Sequence, residues 1–137
     1  MGESNHDCGC IAEILKTILI LQKKASAFEC KIDSCDRKTL GCTYECNYNT
    51  RPIQLFSCCL CGNNPISMPT NKGLINDETT YANVFRIEKL DNCCATFRVL
   101  INDETDGFIA TNSLFTLDLR CICAIRCLDD TFVEGVC

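Results

Sequence analysis

The sequence predicts a mainly β protein: an antiparallel β-sandwich preceded by one amphipathic helix. Three observations carry this expectation. Apolar and polar residues alternate with period two in several stretches after residue 50, and Asn, Asp, Gly and Pro clusters separate those stretches. A single run near the N-terminus carries helical spacing instead, which puts one helix beside a sheet rather than alternating helices and strands.

Taken in order, residues 1–8 read as a flexible arm that brings Cys8 and Cys10 to the first element. Ile11, Ile14, Leu15, Ile18 and Leu19 follow the i, i+3, i+4, i+7, i+8 pattern, so residues 9–27 are expected to be helical. Glu13, Lys16, Thr17, Lys23 and Lys24 fill much of the other side. Such a stripe can dock on a neighbouring subunit, but packing on the chain's own core is the better reading, since most apolar stripes face inward. Residues 28–137 are read as one cysteine-rich β domain. It opens with a loop-like stretch, 28–50, that holds Cys30, Cys35, Cys42 and Cys46.

Ile53 to Cys61 is apolar on both faces and reads as a buried strand. Phe85 and Ile87 then alternate with Arg86 and Glu88. From Cys93 to Ile101, Cys93, Ala95, Phe97, Val99 and Ile101 fall on one side, with Cys94, Thr96 and Arg98 on the other. Ser113 to Cys127 alternates most clearly and reads as one strand, or as two joined at a bend. Phe97, Val99, Phe115, Leu117, Leu119 and Ile125 are the expected core, with Cys121, Cys123 and Cys127 sharing the apolar face. One internal echo, Leu74-Ile75-Asn76-Asp77-Glu78-Thr79 and Leu100-Ile101-Asn102-Asp103-Glu104-Thr105, reads as two similar hairpin turns. A calcium loop would need the ligand spacing and glycine of an EF-hand, which are missing.

Composition narrows the function. The chain has 137 residues, a net charge of −5 and 15 cysteines, well beyond ordinary thiol usage. An acidic chain without a basic run is not expected to bind nucleic acid, because phosphate neutralisation needs clustered Lys and Arg. The Ile11–Leu21 run carries Glu13 and Lys16 and is too short to span a bilayer, so no membrane association is expected. Ala25-Ser26-Ala27 resembles a cleavage site, yet the segment ahead of the apolar run is acidic, the reverse of an export signal.

The cysteines support three readings. Zinc could be held by Cys42, Cys46, Cys58 and Cys61, but the spacing is poor, a strand would splay Cys58 and Cys61, and no metal or other cofactor is expected. A thiol–disulfide enzyme using Cys58 and Cys61 would need that pair at a helix N-terminus, whereas Gly62-Asn63-Asn64-Pro65 follows it. His6 is the only histidine, so no nucleophile–base constellation can be built and no catalysis is expected. Cross-linking is the third reading. An odd number of cysteines cannot close entirely within one chain. Cys8, Cys10, Cys94 and Cys137 are the candidates for bonds between chains. Cys30, Cys35, Cys42, Cys46, Cys59, Cys93, Cys121, Cys123 and Cys127 are candidates for bonds within the chain or for core positions. Adjacent residues such as Cys58 and Cys59, or Cys93 and Cys94, point to opposite faces of a strand, so one of each pair can be buried while the other faces out.

The stretch Leu119-Arg120-Cys121-Ile122-Cys123-Ala124-Ile125-Arg126-Cys127-Leu128-Asp129-Asp130 closely resembles the signature of the spore coat and exosporium proteins CotY, CotZ and ExsY. Asn49-Thr50-Arg51-Pro52, with the apolar strand after it, is similar to the same family's central motif, as are Phe85-Arg86-Ile87-Glu88 and Cys94 to Leu100. The resemblance implies a structural protein of the outer layers of the endospore that self-assembles into disulfide-reinforced sheets with hexagonal symmetry. Its partners would be further copies of itself, in a hexamer-based lattice, and other coat or exosporium proteins. It further implies synthesis in the mother-cell cytoplasm with thiols reduced, followed by oxidation on the spore. The competing class is a small zinc- or redox-active cysteine-rich binding protein, which would stay monomeric on a non-reducing gel.

Overall fold

The computed structural model describes residues 8–29, 48–58, 64–103, 107–133 and 136. Helix α1 spans Gly9–Glu29, and the strands are β1 Ile53–Ser57, β2 Met68–Pro69, β3 Tyr81–Ala82, β4 Val84–Asp91, β5 Cys94–Asn102, β6 Phe108–Asp118 and β7 Ile122–Cys127. Five of them form one antiparallel sheet in the order β6-β5-β4-β1-β7, and β2 pairs with β3 in a separate ribbon. The mainly β, antiparallel expectation with one N-terminal helix holds.

A three-residue 3₁₀ turn, Leu119–Cys121, joins β6 to β7, which lie at opposite edges of the sheet. In a flat sheet those edges would stand about 19 Å apart at the usual strand spacing. The linker reaches at most about 14 Å when fully extended. The sheet must therefore curl, and one sheet supplies both layers around the core. Ile53 and Leu55 of β1, Ile122 of β7 and Phe85, Ile87, Ala95, Phe97 and Val99 of β4 and β5 form one buried cluster. Phe85, Phe97 and Phe115 meet within it, the Phe85–Phe115 rings edge to face at 4.8 Å between centroids. Among the residues expected in the core, Phe97, Val99 and Leu119 are fully buried, while Phe115, Leu117 and Ile125 are partly buried against it.

The helix packs on this core through Leu15 and Ile18, with Ile11 and Leu19 partly covered and Ile14 exposed. Gln22, a polar residue on the same face, is 3% exposed. β1 and β4 are registered only at Ile53 opposite Phe85, after which their backbones lack each other as partners. Gln22 fills that gap: its Nε2 donates to the Ile87 carbonyl at 2.9 Å, and its Oε1 accepts from the Arg51 amide at 3.1 Å. Gln22→Met keeps the volume and removes both bonds. It should cost about 1–2 kcal/mol in a urea titration, the penalty for stranding partly buried backbone groups. An unchanged midpoint would show that the amide is dispensable.

The 113–127 stretch is two strands joined at a bend, and the bend corrects one expectation. Cys121, Cys123 and Cys127 are exposed rather than buried on the apolar face. The 3₁₀ turn breaks the period-two phase, so Ile122 points inward in their place. Cys123 then sits in a bulge, because Phe56 faces Ala124 while Ser57 faces Ile122. Cys127 is registered with the fully buried Ile53, but β7 is an edge strand and leaves it uncovered.

The two echoed hexapeptides both lie at hairpin loops. Asn102 closes β5 ahead of its turn to β6, while Asn76 to Thr79 turns within the loop between β2 and β3. Their apolar pairs differ in fate: Leu100 is buried in a strand, whereas Leu74 is 92% exposed.

Candidate functional site

Seven of the eight described cysteines fall into two groups, the eighth being Cys58, just after β1. Cys8 and Cys93 form a disulfide within the chain, with 5.9 Å between Cα atoms, that ties the start of α1 to the β4–β5 hairpin. Cys8 therefore does not lie on a free arm. Its carbonyl accepts the first helical bond, from the Ala12 amide at 2.8 Å, and Cys10 belongs to the first turn of the helix. Cys8 was expected to reach another chain and is instead committed to its own, because the hairpin turn presents Cys93 directly to it. The tight turn is made by Asn92, whose φ of 57° suits a residue tolerant of left-handed backbone.

Cys10, Cys94, Cys121, Cys123 and Cys127 form the second group, all exposed and outside any disulfide among the described residues. Cys94 opens β5 opposite Asp118 in the β5–β6 ladder and is exposed. Cys121 ends the 3₁₀ turn, and its carbonyl accepts from the Cys58 amide at 2.9 Å, which aligns those two backbones. Cys123 and Cys127 lie on the edge strand β7, about 13 Å apart along it. Thiol-bearing positions are thus held on a helix, a central strand, a turn and an edge strand. Cys30, Cys35, Cys42, Cys46, Cys59, Cys61 and Cys137 lie outside the described residues, as do three of the four weighed for zinc. Among the described residues no group of three His, Cys, Asp or Glu side chains is placed to hold a metal ion.

A polar network fixes the frame that carries these thiols, and the Asn49-Thr50-Arg51-Pro52 motif is its hub. Asn49, 1% exposed, treats Val133 as a strand partner: its Nδ2 donates to the Val133 carbonyl at 3.0 Å, and its Oδ1 accepts the Val133 amide at 2.9 Å. Thr50 donates to the same Oδ1 at 2.8 Å and bridges Thr131 through its backbone. Buried Arg86 reaches in from β4, its Nε donating to Thr50 Oγ1 at 2.8 Å and its Nη2 to the Asn49 carbonyl at 3.3 Å. Its third nitrogen meets Glu88 at 2.9 Å, and Glu88 also accepts from Arg98 at 3.0 Å. Arg51 grips Asp130 through two bonds of 2.6 and 3.0 Å. Those bonds hold the Asp130 carboxyl below the ordinary carboxylate range and raise Arg51 above its usual value. The Pro52 carbonyl accepts from Leu128 at 2.8 Å. The motif therefore sews the segment after β7 to β1 and β4.

Beside Cys121 lies a second carboxylate–guanidinium pair. Asp118 caps the 3₁₀ turn by accepting from the Arg120 amide, and its carboxylate takes two further bonds from the Arg120 side chain at 2.9 and 3.0 Å. Those side-chain bonds, then the capping bond, hold the Asp118 carboxyl below its ordinary value.

The family model for spore coat protein Z matches residues 1–107, covering α1, the Asn49–Pro52 motif and the sheet through β5. The chain belongs to the spore coat protein Z family. It is a structural protein of the spore coat. The match ends before β6 and does not include the cysteine-rich stretch from Leu119 to Asp130. The curated proteins and solved structures compared with the chain include no match. Among the described residues no helix is long and apolar enough to cross a membrane. The sequence pattern pointed to Cys94 but hid Cys121, Cys123 and Cys127, whose exposure depends on a 3₁₀ turn and a bulge.

Proposed function

We propose that the chain builds its layer by assembling with itself, as oligomers or a two-dimensional hexamer-based lattice, and that disulfides between chains then lock the assembly. The observation that carries this reading is the exposure of Cys10, Cys94, Cys121, Cys123 and Cys127 on hydrogen-bonded elements, while Cys8 and Cys93 are already paired. A thiol on a rigid element forms a bond only where a neighbour presents another at the right distance, about 5.5–6 Å between Cα atoms. Non-covalent contacts set the geometry first, and oxidation records it. Cys137 and the other coat or exosporium proteins are further partners for the same chemistry. Catalytic turnover is no part of this reading, because the sequence offers a single histidine, His6, as a base for so many thiols.

A non-reducing gel of the purified, air-oxidised chain should show a ladder or material too large to enter, collapsing to monomer with reductant. Changing Cys94, Cys121, Cys123 and Cys127 together to Ser should remove most of the ladder while particles remain visible by electron microscopy. A parent chain that runs as monomer after full oxidation would sink the proposal and favour a small cysteine-rich binding protein.

A further inference from the structure

We propose that the β2–β3 loop of one copy seats in the groove beside helix α1 of the next, and that this contact is a non-covalent joint of the assembly. The inference rests on the self-assembly reading and names one of its interfaces. The loop comes first. Leu74 is 92% exposed and Ile75 64%, side by side, an unusual display for two large aliphatic residues. They are not there because the loop is slack. Its neck is pinned where the Thr70 amide donates to the Thr80 carbonyl at 3.0 Å and the two threonine hydroxyls bond each other. Its tip is pinned by Asn76, whose Oδ1 accepts from the Glu78 amide at 2.8 Å and whose amide donates to Thr79 Oγ1 at 2.9 Å. Asn71 accepts from the Gly73 amide at 2.9 Å on the approach. The result is a braced apolar knob, with Lys72 before it and Asp77 and Glu78 after it.

The groove has the complementary net charge. A cavity of about 420 Å³ runs along α1 toward the β4–β5 hairpin, with Leu19, Ile20 and Leu90 among its apolar lining. That volume lies in the range of pockets that enclose a ligand group. Glu13, Lys16 and Lys23 also line it, on one helix face with Ile20 at the spacing i, i+3, i+7, i+10. Glu13 and Lys23 stand about 15 Å apart along the axis. The loop thus carries two acids and one cation around its apolar pair, and the groove two cations and one acid around its apolar floor, so the two surfaces are opposite in net charge. None of Lys16, Lys23 and Lys72 makes an ion pair among the described residues, and neither do Glu13, Asp77 and Glu78. Loop and groove are different surfaces of the chain, so the contact is head-to-tail. Contacts of that type close into rings or extend as open arrays.

The test uses the full chain with free thiols alkylated, so that only non-covalent association remains, followed by sedimentation velocity across a concentration series. Leu74→Ser with Ile75→Ser should weaken association about a hundredfold, as expected for withholding two aliphatic side chains from a buried site. Both residues are solvent-exposed in the single chain, so its melting temperature should stay put. Charge exchange gives a second arm. Asp77→Lys with Glu78→Lys makes one chain, and Lys16→Glu with Lys23→Glu makes another. Each alone should associate poorly, and an equimolar mixture should regain assembly, because each loop then meets a groove of opposite sign. Retained association by the serine variant, or a mixture no better than its parts, overturns the loop–groove contact while leaving self-assembly intact. A groove filled by another segment of the same chain, or by a different protein, would give that same result. A parent chain that stays monomeric throughout overturns the self-assembly reading, and this contact with it.

Discussion

Replacing Cys8 or Cys93 by Ser should lower the stability of the single chain by about 3 kcal/mol, the middle of the range for a native disulfide. The bond joins residues 85 apart in sequence. Much of its effect therefore lies in the unfolded chain, which loses the freedom of a long loop when the two ends are tied. For a chain of this length, that change moves the melting temperature by about 10 °C. The two single variants and the double variant should melt together, because each breaks the same bond. Reductant should bring the parent down to their level. Variants that melt with the oxidised parent would show that α1 is held by Leu15, Ile18 and Gln22 alone. The order of oxidation also matters. A chain synthesised reduced gains this stability only after its thiols pair, and the bond forms between residues that folding has already brought together.

Arg86→Met should cost about 2–4 kcal/mol, and Arg86→Lys should recover less than half of it. Arg86 is 5% exposed and aims three nitrogens at three acceptors: Thr50, Asn49 and Glu88. Removing one partner of a buried charge network generally leaves the others stranded. Here Glu88 keeps Arg98, so the loss falls short of that for an isolated pair. The Thr50 hydroxyl and the Asn49 carbonyl lose a donor outright. Lysine restores the charge but is a single point of donors on a flexible stem, and it cannot span three directions as a planar fork does. Chemical denaturation of the three proteins decides the matter. Arg86→Lys as stable as the parent would mean that charge alone is needed.

Much of the fold was legible because β5 is an interior strand, paired on both sides. Ala95, Phe97 and Val99 are fully buried, and Thr96 and Arg98 lie on the other face, as their alternation indicates. The same alternation misled beyond Leu119. A turn of three residues resets the phase, and a strand with one neighbour leaves even an inward register uncovered, as at Cys127. In the helix, Ile14 fitted the stripe by spacing yet is 37% exposed, while polar Gln22 is hidden. Its burial depends on the gap between β1 and β4, which only the tertiary arrangement creates. Likewise the Asn49–Pro52 motif could be noticed in the sequence, but its work of joining Val133 and Asp130 to β1 and β4 could not. The six-residue echo shows the limit most plainly. Identical letters put Leu100 in a strand and Leu74 in water, because only the first has a sheet partner.

The distribution of thiols over Cys10, Cys94, Cys121, Cys123 and Cys127 has a consequence best stated as polymer chemistry. A monomer with one reactive group can only dimerise, and one with two makes linear chains. A monomer with more than two branches, and beyond a threshold of conversion its product is a gel: one covalent molecule as large as the sample. In such a network, cutting a few links frees no subunit, since each remains attached by others. A layer built this way should therefore release almost nothing over the first part of a reductant titration, then dissolve over a narrow interval once the connected paths fail.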